Sequence, residues 1–287
     1  MQTIYAADVF ARLPKRTADS NKGSFGRVAA VAGSLQYRGA AALCCEGALR
    51  CGAGLVYLAA VEPVLQLVLT RTPECCALPC QTAPDGGITT EDAEAARRQF
   101  AESPAVLLAG PGLGGSAKRL LPVLLCAPWR AAVLDADALN ALAAGTPGRL
   151  PPATVLTPHP GEMARLLGKT VAEIQADRPG AALACAKKYG CVAVLKGAGT
   201  LVAAPDGQLA RNETGNPGLA RGGSGDVLAG MLAALLAQGL APFDAALCAV
   251  WLHGAAADRC AARESQLTML PHDILQDLGA LLGEQGL

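Results

Sequence analysis

A chain of 287 residues, 52% hydrophobic but only 3% aromatic, can bury a large core built mainly of Ala, Leu and Val. Its 24 basic and 24 acidic side chains cancel, which excludes the charge-driven attraction of a nucleic-acid or membrane-surface protein. No apolar run reaches the roughly 18–20 residues of a spanning helix, and Met1-Gln-Thr-Ile-Tyr5 lacks the basic start and apolar core of a signal peptide. A cytoplasmic protein is expected, without nucleic-acid or membrane partners. The 11 cysteines include no CxxC pair and lie mostly among Ala and Leu, so they read as small buried apolar residues; a metal or disulfide framework is the alternative.

Residues 1–22 read as a polar lead-in. Arg27–Ala32 is a short apolar run, expected as a buried strand. A turn-rich loop at 33–39 follows, then a small-residue helix over about 40–51, then a strand at 55–60. This is a parallel crossover unit. The pattern repeats with strands at 104–109, 131–135, 154–156 and 192–195. Helices are expected near 116–126, 137–144, 161–168 and 171–189. Residues 201–210 read as a hairpin turning at Asp206-Gly207, and helices near 226–238, 243–262 and 272–282 complete the chain. No linker divides it. The expectation is a single α/β domain: a doubly wound, mostly parallel sheet with helices on both faces and an antiparallel hairpin attached. In such sheets ligands bind beyond the carboxyl ends of the strands, and each polar or glycine-rich cluster here follows a strand.

The longest cluster is Asn212–Asp226, followed at once by the apolar helix. It places Gly222, Gly223, Ser224 and Gly225 at a helix N-terminus, where free N–H groups and the dipole favour an anion. Asp226 repels such an anion. It is either a capping or first-turn acid, or a base for a hydroxyl about to meet a phosphoryl group. Gly110-Pro-Gly-Leu-Gly-Gly115 satisfies GxGxxG after a strand and imitates a dinucleotide fingerprint, with Asp135 on the next strand. That motif raises the rival reading of an NAD-dependent oxidoreductase. Pro111 counts against it, because it removes a donor inside the turn.

Thr157-Pro-His-Pro-Gly-Glu162 offers His159 on a loop fixed by prolines; it either donates to a phosphate, stacks on a ring or bonds locally. Glu162 opens the next helix, where the dipole favours a carboxylate, or it orients hydrated Mg²⁺. Asp137 in Asp135-Ala-Asp-Ala-Leu-Asn140 is expected to cap a helix, and Asp135 to hold a ribose, an ion or a loop. Lys196-Gly-Ala-Gly-Thr200 supplies a point charge for phosphate and room for a flat base, or is a surface turn.

In order, Lys22-Gly-Ser-Phe-Gly-Arg27, Tyr37-Arg-Gly-Ala40, Gly110-Pro-Gly-Leu-Gly114, Asp135–Asn140, Thr157–Glu162, Lys196–Thr200 and Gly215…Asp226 resemble the ADP-dependent NAD(P)H-hydrate dehydratases over about residues 22–275. The resemblance implies a ribokinase-like fold. It also implies dehydration of the S-epimer of hydrated NADH or NADPH, with ADP converted to AMP and phosphate. Mg²⁺ and a homotetramer come with it, and no N-terminal epimerase domain is expected. Carried over by position, Ala40, Gly112, His159 and Asp226 would hold the hydrated nucleotide. Lys196, Gly197, Ala198, Gly199, Thr200 and Gly225 would hold ADP, with Asp226 as the catalytic base. Many related kinases carry an asparagine where His159 stands. The alternatives are a ribokinase-like kinase for a vitamin precursor and a non-catalytic nucleotide sensor. Arg221 stands where a small residue is expected.

Overall fold

The computed structural model describes residues 1–126, 128–145 and 149–286. Two short elements open it, β1 (Gln2–Thr3) and α1 (Ala6–Arg12), followed by β2 (Arg27–Val31), α2 (Arg38–Arg50), β3 (Leu55–Val61), α3 (Glu62–Arg71), β4 (Cys76–Cys80) and α4 (Thr90–Gln99). The middle of the chain runs β5 (Val106–Ala109), α5 (Ala117–Leu125), β6 (Ala131–Leu134), α6 (Asp137–Ala143), β7 (Thr154–Leu156), α7 (Pro160–Leu167), α8 (Val171–Ala176), α9 (Arg178–Tyr189) and β8 (Val192–Leu195). It ends with β9 (Leu201–Ala203), β10 (Leu209–Arg211), α10 (Ser224–Ala237), α11 (Pro242–Arg263) and α12 (Ile274–Gly283).

The strands form one sheet in the order β1-β10-β9-β8-β7-β6-β5-β2-β3-β4. From β4 through β8 every pairing is parallel; β9 and β10 are the antiparallel hairpin. The central strands β2, β5, β6 and β8 are apolar almost throughout, which is what burial on both faces demands. α2, α10 and α11 cover one face, and α4 to α7 with α9 cover the other. The doubly wound expectation holds. The helix α10 and its neighbour α2 pack closely because Gly230 faces the Cys44 carbonyl, where a Cβ would collide.

The order reverses between β2 and β5. From β2 the chain moves outward to β3 and β4, then returns past β2 to β5 and moves the other way. This reversal is the topological switch point of the sheet, and the loops after the two strands are joined there by the Gly33 N–H, which donates to the Pro111 carbonyl at 2.8 Å.

Two expectations need correction, and one stretch has no sequence assignment. Residues 1–22 are not merely a lead-in: β1 pairs parallel with β10, and α1 packs on α11 through Val9 and through Phe10, whose ring meets Trp251 edge-on at 5.4 Å. Here tertiary contact organises a segment too short to show a period. The helix at 171–189 breaks at Asp177, whose carboxylate accepts the Gly180 N–H at 2.9 Å and caps α9, with Pro179 in its first turn. Residues 62–99 hold α3, β4 and α4, which the sequence reading leaves unassigned. The strand β4 is a half-exposed edge carrying Pro79, so its pattern is weak.

Candidate functional site

The loops after β6, β7, β8 and β10 meet the N-terminus of α10 around a cavity of about 780 Å³, a size suited to one nucleotide-sized ligand. Asp135, His159, Glu162, Lys196, Gly197, Ala198, Gly199 and Thr200 line it, as do Gly223, Ser224, Gly225 and Asp226. Most of the residues singled out in the sequence are therefore brought together. Gly222 is exposed and outside that lining. Ala40 and Gly112 also lie outside it but beside each other: a Cβ on Gly112 would stand 2.9 Å from that of Ala40. One turn further along α2, Leu43 reaches the turn at Gly223. The N-terminal face of α2 thus lies between the 110–114 turn and the glycine turn before α10.

Gly223 caps α10 with φ of 100°. Gly225 and Asp226 occupy its first turn, where backbone N–H groups have no intrahelical acceptor. Lys196 adds a charge at the same point: its Nζ lies 3.2 Å from where a Cβ of Gly225 would stand. A Cβ there would press on the ammonium, and amides, dipole and cation together favour a phosphate. Gly223 takes the cap position and the Asp226 carboxylate lies in the first turn, so it is the first-turn acid of its simpler sequence reading as well as a group beside the cradle. Burial, then repulsion from Asp135, pushes its pKa up to about 7, against attraction from Lys196.

Lys196 Nζ donates to Asp135 Oδ1 at 2.6 Å, and the Thr157 hydroxyl donates to the same oxygen at 2.7 Å. Burial lowers the lysine pKa, but Asp135 and Glu162 outweigh it and keep the ammonium charged. Asp135 is thus the partner of a lysine. Asp137 does not cap α6, as expected from sequence; Ala136 takes that position at φ 48°, strained for a residue with a Cβ, and Asp137 accepts the Gly114 N–H at 2.7 Å. That bond takes up a donor of the GxGxxG turn, so the turn is not an open pyrophosphate cradle.

His159 proves to be a helix cap as well as a cavity residue. Its Nδ1 accepts from the N–H groups of Gly161 and Glu162 at 3.0 and 3.3 Å, while Glu162 Oε2 accepts the His159 N–H at 2.8 Å. This capping box sets Nε2 on the half-exposed side of the ring, 3.4 Å from Glu162 Oε1. Burial, Lys196 and Arg165 lower the imidazole pKa, favouring the neutral ring. Burial raises Glu162 to about 7 despite Lys196.

Residues that the sequence reading does not single out complete the walls. His253 of α11 lines the cavity with Nε2 unpartnered, held neutral by burial at about 4. Its sequence signal was only a break in an apolar run. Asp258 accepts the Gly215 N–H at 2.8 Å and Asn216 Nδ2 at 2.9 Å, and Asn212 Nδ2 donates to the Val250 carbonyl at 3.1 Å. These bonds staple the 212–216 loop to α11. Arg221 donates to the Leu267 carbonyl at 2.7 Å, which accounts for a long cation there: it ties the glycine loop to the loop before α12. The 11 cysteines are free thiols, eight of them buried, as small apolar residues would be.

Residues 28–279 match the family described as NAD(P)H-hydrate dehydratase. The ADP-dependent (S)-NAD(P)H-hydrate dehydratase of Neisseria meningitidis is 41% identical over 249 residues, covering 85% of this chain and 80% of that protein. The bifunctional NAD(P)H-hydrate repair enzyme of Moorella thermoacetica is 44% identical over 97% of this chain but only 53% of its own length. The chain thus spans about half the length of the bifunctional relatives it matches. The crystal structure of ADP/ATP-dependent NAD(P)H-hydrate dehydratase from Bacillus subtilis, co-crystallised with ATP/Mg²⁺, superposes with a TM-score of 0.85 at 34% identity, covering 99% of this chain and 98% of that one. The fold is ribokinase-like. Motifs, topology and relatives agree, and the chain belongs to the NAD(P)H-hydrate dehydratase family.

Proposed function

We propose that this chain dehydrates the S-epimer of hydrated NADH or NADPH at the expense of ADP, releasing AMP and phosphate and restoring the reduced cofactor. The observation that carries the reading is Asp226: a first-turn carboxylate at the edge of an anion cradle, its pKa raised to about 7. Asp226 takes the proton of the substrate hydroxyl, whose oxygen attacks the terminal phosphorus of ADP as AMP departs. The N–H groups around Gly223, Ser224 and Gly225 hold the transferring phosphoryl group. The lone pair of the ring nitrogen then expels phosphate, and the adjacent ring carbon gives up a proton to restore the double bond. A dehydratase is favoured over a vitamin-precursor kinase by the names of the homologues.

ADP is assigned to the cavity over Lys196–Thr200, with Gly225 at its phosphates; the hydrated nucleotide is assigned to the Ala40, Gly112 and His159 side, meeting ADP at Asp226. Among the described residues no group of three His, Cys, Asp or Glu side chains is placed to hold a metal alone. A magnesium ion therefore fits as one carried by phosphate oxygens and water, with Glu162 orienting that water; bound there, it would neutralise phosphate charge. No helix among the described residues is long and apolar enough to cross a membrane. We read the chain as one dehydratase domain, cytoplasmic and homotetrameric, a state that light scattering would check.

Incubation with hydrated NADPH and ADP tests the function. AMP, phosphate and rising absorbance of the reduced cofactor are expected, with ADP giving a higher kcat/KM than ATP. Phosphorylated product without recovered absorbance would indicate a kinase, and ligand binding without turnover a sensor.

A further inference from the structure

Tyr37 stands at the switch point, where the β2 and β5 loops meet. It is 55% exposed, and among the described residues its ring stacks on no aromatic and its hydroxyl has no hydrogen-bond partner. It immediately precedes α2. Its carbonyl and Cβ would lie 2.7 and 2.9 Å from a Cβ on Gly112, and its Cε2 3.7 Å from one on Gly114. The backbone is pinned: the Gly33 N–H donates to the Pro111 carbonyl at 2.8 Å and the Tyr37 N–H to the Ser34 carbonyl at 3.2 Å. A large flat side chain is therefore held on a fixed loop, one edge against a glycine turn and much of its surface open to solvent. Tyr37 at the cap of α2 is followed at three-residue spacing by Ala40 and Leu43 within the helix, and Leu43 touches the turn at Gly223. At about 1.5 Å per helical residue this run is about 9 Å long, so it leads from the anion cradle to the switch point over a length that part of a dinucleotide would span.

We propose that Tyr37 is the stacking platform for a flat ring of the hydrated dinucleotide, the adenine or the conjugated part of the pyridine. The inference rests on the functional reading above and names a residue that binds its substrate. Two independent features converge on it. The sheet order places the switch point between β2 and β5, where such sheets bind ligands, and the loop there presents an unpartnered, half-exposed aromatic ring. Ring-on-base stacking tolerates many orientations and needs no hydrogen bond, which suits a side chain whose phenol has none.

The test compares wild type with Tyr37→Ala and Tyr37→Phe, using hydrated NADH and the hydrate of reduced nicotinamide mononucleotide, which lacks the adenylate half. Tyr37→Ala should raise KM for hydrated NADH about tenfold, leaving kcat, the KM for ADP and the melting temperature near wild type. Tyr37→Phe should behave as wild type. A penalty that persists with the mononucleotide assigns the pyridine ring; one that disappears assigns adenine. Titration of unhydrated NADH, followed by its own fluorescence, reads the same platform without turnover. A wild type that binds NADH through Tyr37 but fails to turn over hydrate would overturn the function and not this inference. NADH affinity and hydrate KM within twofold of wild type in Tyr37→Ala would overturn the inference alone, as would an equal rise in the KM for ADP.

Discussion

Lys196 at the end of β8 donates to Asp135 at the end of β6, 2.6 Å away, bridging over β7. Asp135 is 1% exposed, and its other neighbour on that oxygen is the Thr157 hydroxyl. One ammonium therefore neutralises a buried carboxylate and faces the anion cradle. Lys196→Met should cost about 3 kcal/mol of stability, because it strands the carboxylate, and should raise the KM for ADP. Adding Asp135→Asn should recover much of the stability and none of the ADP binding. Melting curves and ADP titrations on the single and double variants check this. Recovery of both together would mean that Lys196 serves the fold only.

His159 combines a cap and a ligand face, so its substitution mixes two effects. His159→Ala should lose about 1 kcal/mol through the broken cap and also weaken the hydrated nucleotide more than ADP. His159→Asn separates the two, since asparagine caps helices well but cannot present Nε2. Wild-type melting with a raised KM for hydrate is expected for that variant. Equal loss of both ligands would return His159 to a structural role.

Asp258 lies beyond the cavity lining yet holds its wall, through Gly215 and Asn216. Asp258→Ala should raise the KM for ADP roughly tenfold, about the worth of two charge-assisted bonds shared with loop ordering, with kcat and hydrate KM little changed. Parallel KM measurements for the two substrates decide it; a loss confined to hydrate would contradict the assignment of the two ligands to their sides.

The sheet was legible because β2, β5, β6 and β8 are short apolar runs, each followed by a glycine or polar loop. The cavity was legible for the same reason, since such loops gather at one edge of a parallel sheet. What sequence could not show is pairing. Asp135 and Lys196 are 61 residues apart, and nothing local marks them as partners. His159 as a cap was hidden because histidine is an uncommon capping residue, and Asp137 was misplaced because Ala136 takes the strained position before α6. β1 leaves no pattern in the sequence because a two-residue strand has no period, and its place is set by β10.

Asp226 carries the functional reading, and its pH behaviour gives the sharpest test. Burial and Asp135 raise its pKa in the folded protein to about 7 from 3.8. A raised carboxyl pKa stabilises the fold fully below the unfolded value, and that contribution is lost as pH rises through about 7. Asp226→Asn removes this dependence, so the variant should melt higher than wild type at pH 8 and similarly at pH 4. Turnover should move the other way. The base must be ionised, so wild-type kcat/KM, which reports the free enzyme, should rise through pH of about 7, and Asp226→Asn should lower kcat by roughly 10²–10⁴. Nucleotide affinity should hold or tighten, because a negative charge leaves the anion cradle. Glu162 titrates in the same range, so Glu162→Gln is the control: it keeps a capping oxygen and should retain the rising limb. Loss of that limb in Glu162→Gln would transfer the proton acceptor to Glu162. Turnover of Asp226→Asn within about threefold of wild type would remove Asp226 from the chemistry, since tenfold corresponds to only about 1.4 kcal/mol of barrier.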